Sequence, residues 1–288
     1  MTLTVVRAGM LTTVQDAGRP GHAHLGVPLS GALDAASHAL ANRLLGNHAG
    51  AAALETTLTG CALRADRDLT VVVGGAPCPV RVDGRPAAWG APVRVPAGAV
   101  LDVGTATAGV RSYVAVDGGI AVAPVLGSRS TDLLSGLGPP PLRDGDVLPL
   151  GPPGPGLPAP ALTAAAAPWP GPPSGTLVLP VRLGPRADWF TGTALRTLTA
   201  AEYTVTAHSN RVGLRLDGPP LGRSRYDELP SEGMVLGAVQ VPPDGRPVVF
   251  LRDHPTTGGY PVAAVVDARA LDAAAQAGPG TRVRFTPG

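Results

Sequence analysis

Residues 151–176 read GPPGPGLPAPALTAAAAPWPGPPSGT, almost entirely Pro, Gly and Ala and without a charge. Proline fixes φ and has no N–H to give to a sheet ladder, so such a stretch favours extended, semi-rigid backbone over regular structure. It divides the 288-residue chain into an expected N-terminal domain over 1–150, a linker over 151–176 and a C-terminal domain over 177–288. A chain of this length exceeds the usual single-domain size, which agrees with that division.

Both sides are built from short apolar runs between turn residues. Before the linker, LTVV (3–6), DLTVVV (68–73), CPVRV (78–82), AVLDV (99–103) and VRSYVAV (110–116) read as strands, and Asp83-Gly84 as a hairpin turn. After it come LVLPVRL (177–183), EYTVTA (202–207), VGLRLDG (212–218), AVQV (238–241), VVFL (248–251), VAAVV (262–266) and TRVRF (281–285). With 39 Gly and 33 Pro there is no room for long helices. One helix is expected over 34–45, with Asp34 as N-cap and Gly46 just past its end, burying Leu33, Ala36, Leu40 and Leu44. Two shorter ones are expected near 187–199 and 267–276. The fold class is mainly β, two barrel-like or sandwich domains with few short helices.

Composition then excludes several functions. Only 3% of residues are aromatic, so the cores must be built from Val, Leu and Ala. A formal charge of +2 with basic residues interspersed among acidic ones gives no basic stripe, so no nucleic-acid partner is expected. No apolar run approaches the ~18 residues of a membrane span, and no basic-then-apolar leader opens the chain; a cytoplasmic protein without membrane contact is expected. Cys61 and Cys78 are not in CxxC spacing and read as two buried reduced thiols. All 23 basic residues are Arg. Without a primary amine there is no P-loop lysine, no Schiff-base lysine and no biotinylated carrier lysine.

Chemistry-bearing residues gather in five clusters. Residues 13–34 carry Asp16, Arg19, His22, His24, Ser30 and Asp34 among glycines that let backbone approach a ligand. His22 and His24 alternate as two metal ligands on a strand would, but no third ligand has clear spacing and no metal is expected. Asp16 and Arg19 read either as a pair that fixes the loop or as ligand contacts. In GSRSTDL (127–133), Ser128, Ser130 and Thr131 supply hydroxyls, Asp132 a carboxylate and Arg129 a fork suited to an anionic oxygen pair. Asn210 and Arg211 form a third cluster, and Ser231, Glu232 and Gln240 a fourth. Glu232 is one of four Glu in the chain, either a general base or a structural acceptor. The fifth, DHPTTGGYP (253–261), is either a turn or a site wall: Asp253 ends a strand, Thr256 and Thr257 offer hydroxyls, and Gly258-Gly259 permits positive φ or close approach. No nucleophile elbow accompanies them.

In that order TVQDAGRPGHAHLGVPLSGALD, GSRSTDL, SNRVGLRLDGPPL, SEGMVLGAVQVPPDGRPVVFLRD and TTGGYP resemble the biotin-dependent carboxyltransferase-like family, from about residue 3 to 285. This family holds allophanate hydrolase subunit 2 domains and the C subunits of bacterial 5-oxoprolinases. The resemblance implies a cyclophilin-like barrel in the second half and a related mainly-β first half. It implies ATP-dependent opening of 5-oxo-L-proline to L-glutamate, with ATP as cosubstrate of a complex and no biotin on this chain. The implied partners are a subunit-B-type (KipI-like) and a subunit-A-type (LamB/YcsF-like) protein. Two alternatives stay open: carboxyl transfer from biotin to urea or another amide, and a non-catalytic regulator that binds a kinase inhibitor. The stand-alone length fits the oxoprolinase C-type chain better than a fused urea enzyme.

Relatives commonly carry an aromatic where this chain has His22, whereas His24 matches. The positions matching family motifs are Asp16, Arg19, His24, Ser128, Arg129, Ser130, Thr131, Asp132, Asn210, Arg211, Glu232, Gln240, Asp253, Thr256 and Thr257. Among them Arg129 or Arg211 is expected to hold an anionic group and Asp253 or Glu232 to act as base. The Thr256–Gly259 stretch would supply hydrogen-bond donors.

Overall fold

The apolar runs become strands, and several polar segments join them. The computed structural model describes residues 1–153 and 169–288; residues 154–168, in the middle of the expected linker, lie outside the described residues. The strands before that stretch are β1 (Thr2–Arg7), β2 (Thr12–Gln15), β3 (Ala53–Thr57), β4 (Cys61–Ala65), β5 (Leu69–Gly75) and β6 (Val80–Val82). They continue with β7 (Arg85–Ala87), β8 (Pro92–Val95), β9 (Val100–Val103), β10 (Arg111–Val116) and β11 (Val147–Pro149), and α1 (Ala35–Leu44) lies between β2 and β3. Beyond it come β12 (Leu177–Leu183), α2 (Gly192–Ala200), β13 (Glu202–Val205), β14 (Gly213–Asp217), β15 (Glu232–Gly233) and β16 (Ala238–Gln240). β17 (Val248–Phe250), β18 (Thr257–Gly258), β19 (Val262–Val266), α3 (Leu271–Ala275) and β20 (Arg282–Pro287) complete the set.

Two compact units result. The first holds residues 1–19, 30–132 and 136–172; the second holds 173–288 together with the short segments 20–29 and 133–135. The first unit is two antiparallel sheets, ordered β11-β1-β4-β9-β6-β7 and β2-β3-β10-β5-β8. Leu3, Val5, Leu63, Leu101 and Val103 of one sheet share a core with Leu54, Val71, Val73, Val114 and Val116 of the other. These small side chains fill the core that the scarcity of aromatics demands, each fully buried Val or Leu contributing about 1.5–3 kcal/mol. Burial pushes the thiol of Cys61, within this core, up to about 12. Asp83 and Gly84, both at positive φ (47° and 74°), make the expected tight turn from β6 to β7.

The outer face of the five-stranded sheet is covered by α1, whose Ala41 and Leu44, with Leu45 just past its end, meet Ala53, Val72 and Ala115. Covered on both sides, β10 is buried at every position. The Asp34 carboxylate caps α1 by accepting from the Ser37 N–H at 2.9 Å. The expected buried face of this helix needs correction. Leu33 and Leu44 are buried, but Ala36 and Leu40 are only half-buried, and Ser37, His38, Ala41 and Asn42 point inward instead. The reason is that the sheet face beneath carries polar side chains, described below.

The second unit is the closed barrel β12-β19-β16-β17-β14-β13-β20, sealed by parallel pairing of β20 with β12. Its interior is lined by Leu179, Tyr203, Val205, Leu216, Val249, Val283 and Phe285, each at most 2% exposed. Tyr203 and Phe285 meet edge to face at 5.7 Å. β15 and β18 form a separate two-stranded ribbon. The expected helices near 187–199 and 267–276 shorten to α2, preceded by a 3-10 turn over Ala187–Trp189, and to α3. No helix among the described residues is long and apolar enough to cross a membrane.

Candidate functional site

The first two polar clusters of the sequence meet in the first unit. Asp16 Oδ1 accepts from the hydroxyls of Ser128 and Ser130, each at 2.6 Å, while Oδ2 accepts from the Arg129 N–H at 2.6 Å. The Gly18 N–H adds a further donor to Oδ1 at 2.8 Å. Both hydroxyls are also acceptors, Ser130 from the Asp16 N–H at 3.0 Å and Ser128 from the Ser130 N–H at 3.0 Å. A carboxylate gripped by this many donors is a structural anion that ties two loops together.

Arg19 completes the junction. Its Nη1 donates to Ser30 Oγ at 2.9 Å and its Nη2 to the Ser130 carbonyl at 2.5 Å. The Ser30 hydroxyl in turn donates to Asp132 Oδ2 at 2.5 Å. Ser30 is held at φ 53°, a conformation that costs a non-glycine residue about 1–2 kcal/mol. Those two buried charge-assisted bonds offset it. The next residue shows why the motif is glycine-rich: a Cβ on Gly31, at φ 90°, would stand 2.8 Å from the Gly18 nitrogen. Among the polar side chains of this junction Arg129 is the one that is half-buried rather than buried. Its Nε donates to the Val122 carbonyl at 2.7 Å, and among the described residues its two Nη groups bond to nothing.

Beneath α1 lies a polar nest that no sequence motif announces. Glu55 Oε2 accepts from the Tyr113 hydroxyl and the Leu33 N–H, both at 2.9 Å, and the Tyr113 oxygen accepts from the Asp34 N–H at 2.8 Å. Arg111 stands 3.7 Å from Glu55 Oε1 and donates to Thr57 at 2.9 Å. His38 Nε2 faces the Gln15 carbonyl at 3.2 Å, and burial lowers the imidazole below its usual range. Gln15 Nε2 bonds the Thr131 carbonyl at 3.0 Å, which joins this nest to the Asp16 junction. Among the described residues Gln15 Oε1 and the Thr131 hydroxyl are buried without a hydrogen-bond partner. A glutamate inside ALETT and one of only four tyrosines in an apolar run are the signals that could have found the nest.

In the second unit Arg211 and Asp253 are given to each other. Nε to Oδ2 is 2.9 Å and Nη2 to Oδ1 is 3.0 Å, with both side chains at most 1% exposed. The Leu133 N–H also points at Oδ2, at 3.3 Å. Asn210 is spent locally, its side-chain oxygen accepting from the Val212 N–H at 2.8 Å. Glu232 is clasped by Arg186, with both Nε and Nη2 donating to the carboxylate, and these bonds hold its carboxyl below the usual range.

The fourth and fifth clusters join through the ribbon, where Glu232 pairs with Gly258 and Gly233 with Thr257. Gln240 Nε2 donates to the Tyr260 carbonyl at 3.1 Å, and the Thr256 carbonyl accepts from the Met234 N–H at 2.9 Å. Neither Gly258 nor Gly259 has positive φ; Gly258 is in close approach, since a Cβ there would lie 2.6 Å from Gln240 Nε2, which would have to shift. His24 stands exposed on the 3-10 turn Ala23–Leu25.

The chain is thus a two-sheet unit and a closed barrel, each carrying a locked polar junction. The family model for the carboxyltransferase domain, subdomains A and B, matches residues 25–287, and the chain belongs to that family. It is 38% identical over 273 residues to the C subunit of the 5-oxoprolinase of Escherichia coli (strain K12), covering 92% of this chain and 85% of that protein. Its fold matches the crystal structure of TTHA0988 with a TM-score of 0.84 at 39% identity, over 99% of this chain and 56% of that one. It matches Kluyveromyces lactis urea amidolyase with a TM-score of 0.89 at 32% identity, over 99% of this chain and 18% of that one. The chain thus spans about half of the TTHA0988 chain and a minor part of the amidolyase.

Proposed function

We propose that this chain is the C subunit of an ATP-dependent 5-oxoprolinase, a cytoplasmic complex that opens 5-oxo-L-proline to L-glutamate with subunit-A-type and subunit-B-type partners. The observation that carries the reading is the near end-to-end likeness to a 5-oxoprolinase C subunit, over 92% of this chain and 85% of that protein. ATP, as cosubstrate of the complex, supplies the activation that amide resonance denies to the lactam carbonyl. With no lysine in the chain, a permanently cationic contact to phosphate made here falls to arginine, and no biotin is attached.

Within this reading the residues divide by what their partners leave available. Arg129 is the anion-holding residue, because Val122 anchors one edge of its guanidinium and leaves the other as a bidentate fork. Arg211 and Asp253 serve as a rigid brace, since each engages the other through two bonds. Glu232, held ionised by Arg186, is a weak proton acceptor, and its role is to fix the ribbon that presents Thr256 to Gly259. Asp16, Arg19, Ser128, Ser130 and Asp132 set the position of Arg129, and Thr131 and Gln240 remain candidate substrate contacts.

One observation favours a second reading, a carboxyltransferase component acting on urea or another amide: the TM-score of 0.89 to urea amidolyase. The experiment that separates them is ATP-dependent glutamate release from 5-oxoproline by purified A, B and C proteins together, then with this chain omitted. Omission should abolish release. Unchanged release without this chain overturns the proposal, and bicarbonate- and biotin-dependent urea carboxylation would establish the second reading instead.

A further inference from the structure

The outer wall of the barrel carries a groove of about 550 Å³ that the proposed activity does not use, lined by Thr206, Arg215, Pro242, Arg246, Pro247 and Val248 among others. Strand register builds its floor. Thr206 donates its N–H to the Arg215 carbonyl at 2.9 Å, and Arg215 stands opposite Val248. The three side chains therefore form one cross-strand row on the outside of the barrel, beside prolines of the 242–247 turn. His208 and Asn210 also line it.

The polar groups in the groove are mostly donors. Among the described residues the Arg215 guanidinium has no ion-pair partner. Arg246 bonds Asp217 at 2.8 Å, but both side chains are more than half exposed, so that pair is weak and exchangeable. Asp244, the lining carboxylate, is turned to its own loop by accepting from the Arg246 N–H at 3.1 Å. Asn210 commits its oxygen to the backbone, which leaves its NH₂ to donate.

We infer that this groove binds an organic phosphate, the two exposed guanidinium groups taking the phosphate oxygens and the prolines beside them taking the apolar body. The volume exceeds what a bare phosphate fills, and planar guanidinium forks match phosphate geometry bidentately. The site is independent of the proposed lactam chemistry, because it is read by binding alone.

The test is calorimetric titration of the purified full chain with AMP and, separately, inorganic phosphate. AMP should bind saturably. Arg215→Gln should weaken it about tenfold and Arg215→Gln/Arg246→Gln further, consistent with loss of charge-assisted bonds. Both arginines are exposed, so unchanged circular dichroism and melting would show that the fold is intact. Equal affinity for AMP in the double variant overturns the proposal. So does inorganic phosphate binding as tightly as AMP, or no saturation up to about 5 mM, where affinity falls to that of nonspecific contact.

Discussion

Asp16 Oδ1 and the hydroxyl of Ser130 are 2.6 Å apart although 114 positions separate them in sequence. With Ser128 and the Arg129 N–H on the same carboxylate, this junction decides where the Arg129 guanidinium can stand. Asp16→Asn would turn an NH₂ group toward at least one buried donor. It should destabilise the chain by about 2–3 kcal/mol, the scale for losing a charged buried acceptor. Ser128→Ala removes one donor and should cost about 1 kcal/mol. Urea unfolding midpoints measure both; equal midpoints for wild type and Asp16→Asn would refute the structural role.

The two glycines of TTGGYP should behave oppositely. A Cβ at Gly258 would sit 2.6 Å from Gln240 Nε2, whose side chain is only 7% exposed and is bonded to the Tyr260 carbonyl. At Gly259 the nearest atom is the Leu229 carbonyl oxygen, at 3.5 Å. Gly258→Ala is therefore expected to cost about 1–3 kcal/mol, as overpacking does, and Gly259→Ala under about 0.5 kcal/mol. Thermal melts of the two variants side by side decide it.

The strands are legible in the sequence wherever β-branched residues run together, as in VRSYVAV and VAAVV, because a buried strand needs little else. TTVQ and ALETT lack that signature, since most of their polar positions are buried by pairing and by α1 rather than exposed. The same cause hides Glu55, Tyr113 and His38: each is satisfied by groups far away in the chain, and no spacing rule reports that. The clusters themselves are visible as glycine-rich polar segments. What the sequence cannot reveal is that Arg211 and Asp253, expected to meet substrate, occupy one another.

That difference makes Arg129 and Asp253 separable. In the reconstituted complex Arg129→Gln should raise KM for 5-oxoproline about tenfold or more, the loss of a charge-assisted bond, with the melting temperature unchanged. Asp253→Asn should do the reverse: about 3 kcal/mol of stability lost, as for a broken buried pair, with KM near wild type in the folded fraction. A stable Asp253→Asn protein with no turnover would return Asp253 to a catalytic role.

His38 gives the chain an acid limit. Burial keeps its folded-state affinity for protons below the ordinary value of 6.5, against the opposing pull of the Gln15 carbonyl, Glu55 and Asp16. The unfolded chain then takes up a proton at this position near pH 6.5 while the folded chain resists it. Protonation therefore favours unfolding, and the contribution present above pH 6.5 is lost as the pH falls, with a limiting slope of about 1.4 kcal/mol per pH unit for one proton. His38→Gln can still donate toward the Gln15 carbonyl but does not titrate. Urea midpoints between about pH 7.5 and 5.5 should fall more steeply for wild type than for His38→Gln. Parallel curves would mean that His38 takes its proton equally well folded and unfolded.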